Sequence, residues 1–185
     1  MTWVQEGEVL VPAAQQEAYR RALAVGTSMG AVVAFSGHRP DKLLSAATSV
    51  YRWLLGRLEV WRPSKAISGM ARGADTLGAI AALKLGIPLV AAVPFEGQDA
   101  LWVDSDRQVY RRILDRAAEV VYVSDPGYAA WKMHARNHWM VDRADLVLAA
   151  WDGSGGGTKA CVEYALKKRV LVERFLITDL GLSLR

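Results

Sequence analysis

MHARNHWMVDRADLVLAAWDGSGGGTKACVE, residues Met133 to Glu163, passes from a polar helix into an apolar strand, then a glycine-rich loop, then another helix. Asp145 to Trp151 has the length and continuous apolarity of a strand buried on both faces. Asp152-Gly153-Ser154-Gly155-Gly156-Gly157-Thr158 follows at once. Without Cβ atoms, such a loop brings several backbone N–H groups close to a ligand. A helix opening near Thr158 adds the positive end of its dipole. Together these describe an anion site, most simply one for phosphate.

The same strand-then-glycine pattern recurs upstream. Ala31–Phe35 reads as a strand ending in Ser36-Gly37-His38-Arg39-Pro40, and Leu43–Leu58 as a helix. Lys65–Ile67 is a second strand, ending in Ser68-Gly69-Met70-Ala71-Arg72-Gly73-Ala74-Asp75. Asp75–Leu85 is an alanine-rich helix stopped by Gly86 and Pro88. Leu89–Val93 is a third strand, ending in Pro94-Phe95-Glu96-Gly97-Gln98. Ser105–Ala117 and Trp131–Arg143 read as helices around a fourth strand, Glu119–Val123. Thr158–Lys168 and Val170–Ile177 close the series as helix and strand.

Short strands alternating with helices of about ten to fifteen residues form right-handed βαβ units and a parallel sheet. The expected fold is α/β, a Rossmann-like doubly wound, mostly parallel sheet of about six strands with helices on both faces. Residues 1–30 read as an N-terminal extension, an edge strand at Glu8–Pro12 and a helix at Ala13–Val25. Residues 31–185 form the Rossmann-like domain.

In such sheets ligands bind beyond the carboxyl ends of the strands, where the three glycine loops converge. Gly37 permits a tight exit from its strand. Arg39 offers a planar multi-donor group to an anion, and His38 is a candidate acid or base or a solvated loop residue. Gly69 and Gly73 flank a helix start, with Ser68 before them and Arg72 as anion contact. Asp75 lies in the first helical turn, as a cap or as a partner for a ribose hydroxyl. Met133, Arg136, Asn137 and Met140 share a helix face, so Arg136 could clamp a phosphate or stabilise developing charge. Trp102 and Trp139 are candidates for base stacking, core packing or an interface. No GxxxxGK[ST] loop is present, which excludes a P-loop NTPase, and no single GxGxxG fingerprint occurs. His134 and His138 stand at i, i+4 but within HARNH, not HExxH, so no metal site is expected.

Composition agrees with a globular chain. Apolar residues make up 52% of 185, and the net charge is +4. That balance suits solvated helix faces, or a basic face for a polyanion. The lone cysteine, Cys161, excludes an intrachain disulfide and fits a reducing cytosol. No leader pattern opens the chain, and the apolar runs are too short to span a bilayer. The expectation is a cytoplasmic protein without a membrane partner. Seven tryptophans are compatible with a homo-oligomer.

At these loops the chain resembles the SLOG superfamily of Rossmann-like nucleotide-binding proteins, in its YpsA-like branch. The matching pieces are FSGHRP (35–40), ISGMARGADTLGA (67–79), VPFEGQ (93–98) and RNHWMVDRADLVLAAWDGSGGGT (136–158). The resemblance covers about residues 31–178. It implies a ligand set of Gly37, His38, Arg39, Ser68, Gly69, Arg72, Gly73, Asp75, Pro94, Phe95, Glu96, Arg136, Asn137, Asp152, Gly155, Gly156, Gly157 and Thr158. The SGMARGAD segment also resembles the DNA-processing protein DprA.

MHARNHWM followed by GT is similar to the MHxRKxxM…PGGxGTxxE signature of LOG phosphoribohydrolases, which cleave the base from nucleoside 5′-monophosphates. Arg136 falls on their catalytic arginine. Cys161 stands where their catalytic glutamate would be, Asn137 replaces their lysine, and Glu163 lies two residues further on. An oxocarbenium-like state needs a carboxylate near the anomeric carbon, for which Glu163, Glu96 and Asp75 are the candidates.

Three functions follow as expectations. The first is a module that binds a nucleotide or nucleotide-derived ligand, such as one related to ADP-ribose or NAD, as sensor or sequestering protein, with no cofactor required. The second is a LOG-like hydrolase using Arg136. The third, not favoured, is a DprA-like single-stranded nucleic-acid binder.

Overall fold

The computed structural model describes residues 1–6, 9–24 and 30–177. In chain order the strands are β1 Trp3–Glu6, β2 Val9–Pro12, β3 Val32–Gly37, β4 Lys65–Ser68, β5 Leu89–Val93, β6 Glu119–Tyr122, β7 Leu146–Trp151 and β8 Leu171–Leu176. The helices are α1 Gln16–Ala24, α2 Pro40–Leu43, α3 Ala47–Trp61, α4 Ala74–Lys84, α5 Asp104–Leu114, α6 Ala130–Val141 and α7 Gly157–Lys167.

All eight strands join one sheet in the order β1-β2-β8-β7-β3-β4-β5-β6. From β8 to β6 every neighbouring pair is parallel. The chain builds outward from β3 to β6, then returns to the other side of β3 for β7 and β8. The reversal therefore falls between β3 and β7, and the loops leaving these two strands open a crevice there.

The strands are apolar throughout because both faces are covered. Side chains alternate between the two sides. Val33, Phe35, Leu146 and Leu148 join α1, α3, α4 and α5 in one core. Ala34, Val147 and Ala149 join α6 and α7 in the other. The alanines of α4 let it approach the sheet closely. At Gly78 even a methyl would strike the Phe35 ring.

The α/β doubly wound architecture is as expected, with eight strands among the described residues in place of about six. The difference lies in the N-terminal hairpin. Trp3–Glu6 is too short to declare a period on its own, yet it pairs with β2 from Trp3↔Pro12 to Glu6↔Val9. Val9–Pro12 is not the edge. It lies between β1 and β8, antiparallel to both. The helix expected over Leu43–Leu58 is instead a proline-initiated turn of helix, a 3-10 segment at Leu44–Ala46, and α3. Val25, the last residue of the expected N-terminal helix, lies outside the described residues.

The carboxylate of Glu173 is built into the core. Glu173 on β8 is fully buried and takes both Arg57 Nε and Nη2 at 2.6 Å, with the Trp61 indole N–H as a third donor. These bonds tie α3 to β8 across the sheet face.

Candidate functional site

The exit from β3 is shaped by packing. A Cβ on Gly37 would lie 2.7 Å from the Ala150 carbonyl oxygen. His38 then links three loops. Its N–H donates to Ala150 O at 3.0 Å, and its own carbonyl accepts from the Ala74 N–H at 3.1 Å. Its buried ring places Nε2 2.7 Å from Asp152 Oδ1. Gly73, with φ +92°, passes so close to His38 O that no side chain fits. Arg39 remains exposed at the mouth.

The loop after β4 is folded by Ser68. Its hydroxyl donates to Asp75 O at 2.9 Å and accepts from the Met70 N–H at 3.1 Å. The Asp75 carboxylate turns inward, 5% exposed, with Oδ2 3.4 Å from Arg136 Nη1. Burial pushes its pKa up to about 6, against the opposing pull of Arg136, the Ala71 N–H and Arg39.

Arg136 projects from α6 beneath these loops and is 6% exposed. Nη1 also donates to the Gly69 carbonyl, and Nε donates to Asn137 Oδ1 at 2.9 Å. Asn137 Nδ2 in turn reaches Gly157 O at 3.3 Å. The guanidinium is thus oriented before any ligand arrives, between the β4 loop and the start of α7.

The glycine loop after β7 is anchored at its front half. The Trp151 indole donates to Ser154 O at 2.8 Å, and Lys42 Nζ donates to Ser154 Oγ at 2.8 Å. Asp152 Oδ1 accepts the Ser154 N–H at 2.7 Å. Burial acts to raise the Asp152 pKa, but bonds from Ser154 and His38 outweigh it and hold the carboxyl well below the usual range. Gly156 needs its φ of +132°. Gly155 and Gly157 do not have positive φ, and a Cβ on either would meet no protein atom within 4 Å. Nothing in the protein itself requires glycine at these two positions. The first N–H groups of α7 have no acceptor within the helix and stand at the same opening.

These parts surround a cleft of about 260 Å³. Of the residues expected to bind, Gly37, His38, Arg39, Asp75, Arg136, Asn137, Gly155, Gly156, Gly157 and Thr158 line it. Ser68, Gly69, Gly73 and Asp152 shape its walls from behind, through the contacts above. Arg72, Phe95 and Glu96 line an adjoining cleft. Pro94 is buried, its carbonyl accepting the Ser124 N–H at 3.1 Å.

Glu163 is not in the cleft. It is exposed on α7, 3.7 Å from Lys159. Cys161 is buried beside Ser36, and burial raises its thiol to about 11, so it is neither a thiolate nor a carboxylate substitute at neutral pH. Asp75 is the candidate carboxylate that lines the cleft beside Arg136. His134 lines the cleft, whereas His138 stacks on Tyr164 at 3.8 Å. Among the described residues no group of three or more His, Cys, Asp or Glu could hold a metal ion. No helix there is long and apolar enough to cross a membrane.

Sequence reasoning missed Lys42, Asp41 and Ala71 as lining residues. Lys42 had a signal, its place in the first turn after FSGHRP. Its use became visible only with Ser154 beside it.

Comparison with known proteins bears on the family and the fold. A model of the YspA SLOG family matches residues 73–178. The chain is 34% identical over 89 residues to the uncharacterized SPbeta prophage-derived protein YoqJ of Bacillus subtilis (strain 168), covering 42% of this chain and 52% of that protein. It thus spans about half the length of that curated relative. Among solved structures, DNA processing protein A from Streptococcus pneumoniae superposes with a TM-score of 0.63 at 22% identity, over 86% of this chain and 54% of that one. DNA processing protein A from Helicobacter pylori, described with a single-stranded DNA binding mode, gives 0.60 at 19%, over 85% and 70%. A molybdenum cofactor binding protein from Rippkaea orientalis gives 0.54 at 17%, over 77% and 74%. At these identities the structures share the fold.

Proposed function

We propose that this chain, which belongs to the YspA SLOG family, binds the phosphate-bearing end of a nucleotide or nucleotide derivative in the cleft between β3 and β7, as a sensor or sequestering module. One observation carries the reading: Gly155 and Gly157 are glycines for which the protein has no steric or conformational use. They flank a helix N-terminus that lines the same cleft as the oriented guanidinium of Arg136. Bare backbone is what close approach of a phosphate needs, and Arg136 supplies a planar partner for its oxygens. Arg39 and Lys42 at the mouth add positive charge.

The test is calorimetric titration with ribose 5-phosphate and a panel of nucleoside 5′-monophosphates. A binder should raise the melting temperature and be recovered unchanged. Gly157→Val should abolish binding while the protein stays folded. Failure of every phosphorylated compound to bind would sink the reading.

Hydrolysis of an N-glycosidic bond is the second reading, and Asp75 favours it. A carboxyl raised to about 6 beside a buried arginine has the character of an acid–base group. Release of free base from a nucleoside monophosphate, lost in Asp75→Asn, would establish it over binding alone.

A further inference from the structure

A second cleft of about 500 Å³ adjoins the first, and Arg39, Ala71 and Met133 line both. Its lining is aromatic and different in kind. Phe95 is buried at the base, with Tyr128 packed edge-on against it at 6.0 Å. Trp102 stands half-buried, fixed by an edge contact with Tyr110 at 5.2 Å. Tyr128 and Leu101 are nonetheless 76% and 99% exposed, an apolar surface with no cover from the described residues.

Two devices hold this surface in place. Lys132 is buried, and its ammonium donates to the carbonyls of Asp125, Pro126 and Gly127 at 2.7, 3.1 and 2.8 Å. That fixes the turn carrying Tyr128. On the other side Gln98 donates to Met70 O at 2.6 Å, and Arg72 pairs with Asp106 at 3.1 Å beside the Trp102 ring. The cost of ordering the loops is met in the free protein.

The geometry points to this second cleft as the site of a nucleobase whose phosphate end occupies the first. The inference rests on the phosphate reading above and extends it. The occupant is argued from continuity: whatever binds at Gly155–Thr158 and extends past Arg39 and Met133 arrives between Tyr128 and Trp102. A flat heteroaromatic group suits such walls through stacking. Glu96 and Gln98 line the same cleft and carry the hydrogen-bonding groups that read a base edge. The base belongs either to a free nucleotide or to a single strand, and binding distinguishes the two.

The experiment titrates the intact protein with ribose 5-phosphate, nucleoside 5′-monophosphates, the matching nucleosides and a short single-stranded oligonucleotide. It uses the wild type, Tyr128→Ala and Tyr128→Phe. At least one monophosphate should bind about tenfold or more tighter than ribose 5-phosphate. Tyr128→Ala should erase that difference and leave ribose 5-phosphate binding unchanged, and Tyr128→Phe should keep it. Tighter binding of the oligonucleotide than of any monophosphate, with the same Tyr128 dependence, would assign the base to a strand. Equal affinity for ribose 5-phosphate and every monophosphate overturns the base site and leaves the phosphate site standing. A nucleoside that binds when ribose 5-phosphate does not supports the base site and overturns the phosphate site. Binding by none of the compounds overturns both.

Discussion

Oδ2 of Asp75 lies 3.4 Å from Nη1 of Arg136, with both side chains buried. This pair joins the first turn of α4 to α6 across 61 residues of chain. The pair is asymmetric. Asp75 can neutralise itself by taking up a proton, since burial has already raised its pKa to about 6. Arg136 has no such outlet.

That asymmetry sets a pH dependence. The ordinary carboxyl value is 3.8, and the folded value is about 6. Between these values the folded state binds more protons than the unfolded one, so the contribution of Asp75 to stability falls as pH rises. It is most favourable below about 4 and levels off above about 6. Urea unfolding of the wild type and Asp75→Asn from pH 4 to 7 should show the wild type losing on the order of 2–3 kcal/mol relative to the variant. A pH-independent difference would contradict the assignment.

Gly69→Ala should disturb the same pair. A methyl there would stand 2.7 Å from Asp75 Oδ2 and would collide with the Arg136 guanidinium. Overpacking of this kind costs about 1–3 kcal/mol. Denaturation midpoints should fall, and affinity for ribose 5-phosphate should fall with them.

Gly155→Ala and Gly157→Ala should behave in the opposite way. Both positions have room for a methyl, so stability should stay within about 0.5 kcal/mol of wild type. Ligand binding should nevertheless weaken at least tenfold. Gly156→Ala, at φ +132°, should lose about 1–2 kcal/mol of stability as well. Thermal melts and calorimetry on the three variants separate backbone strain from ligand approach.

Far from the cleft, Glu173→Gln would leave the partly buried Arg57 beside a neutral, fully buried amide. Breaking a buried ion pair from one side costs about 3–5 kcal/mol. Chemical denaturation should show that loss with phosphate binding intact in whatever fraction remains folded.

Cys161 offers a probe of integrity. Burial and a pKa raised to about 11 leave little thiolate at neutral pH. Ellman's reagent should react only as the protein unfolds. Rapid reaction of the native state would mean that α7 opens locally.

The doubly wound fold was legible because short, mostly apolar runs alternated with helical spacing, and both signals are local. The N-terminal hairpin was not, because four-residue strands such as Trp3–Glu6 are defined by their partner's hydrogen bonds. The loops of the cleft were legible for a similar reason. Glycines and arginines collect where strands end, and parallel strands end on one side of the sheet.

The linear chain alone determined the strand order along the sequence, the three glycine loops and the place of Arg136 on the face of α6. It could not tell the glycines apart. Gly37, Gly69 and Gly73 yield to neighbouring backbone and side chains, whereas Gly155 and Gly157 yield to nothing in the protein. It offered Glu163, Glu96 and Asp75 as candidate carboxylates. The tertiary structure turned Glu163 to solvent beside Lys159 and Asp75 inward to Arg136. Those choices depend on which atoms lie within a few ångströms once distant segments pack, and sequence spacing carries no information about that.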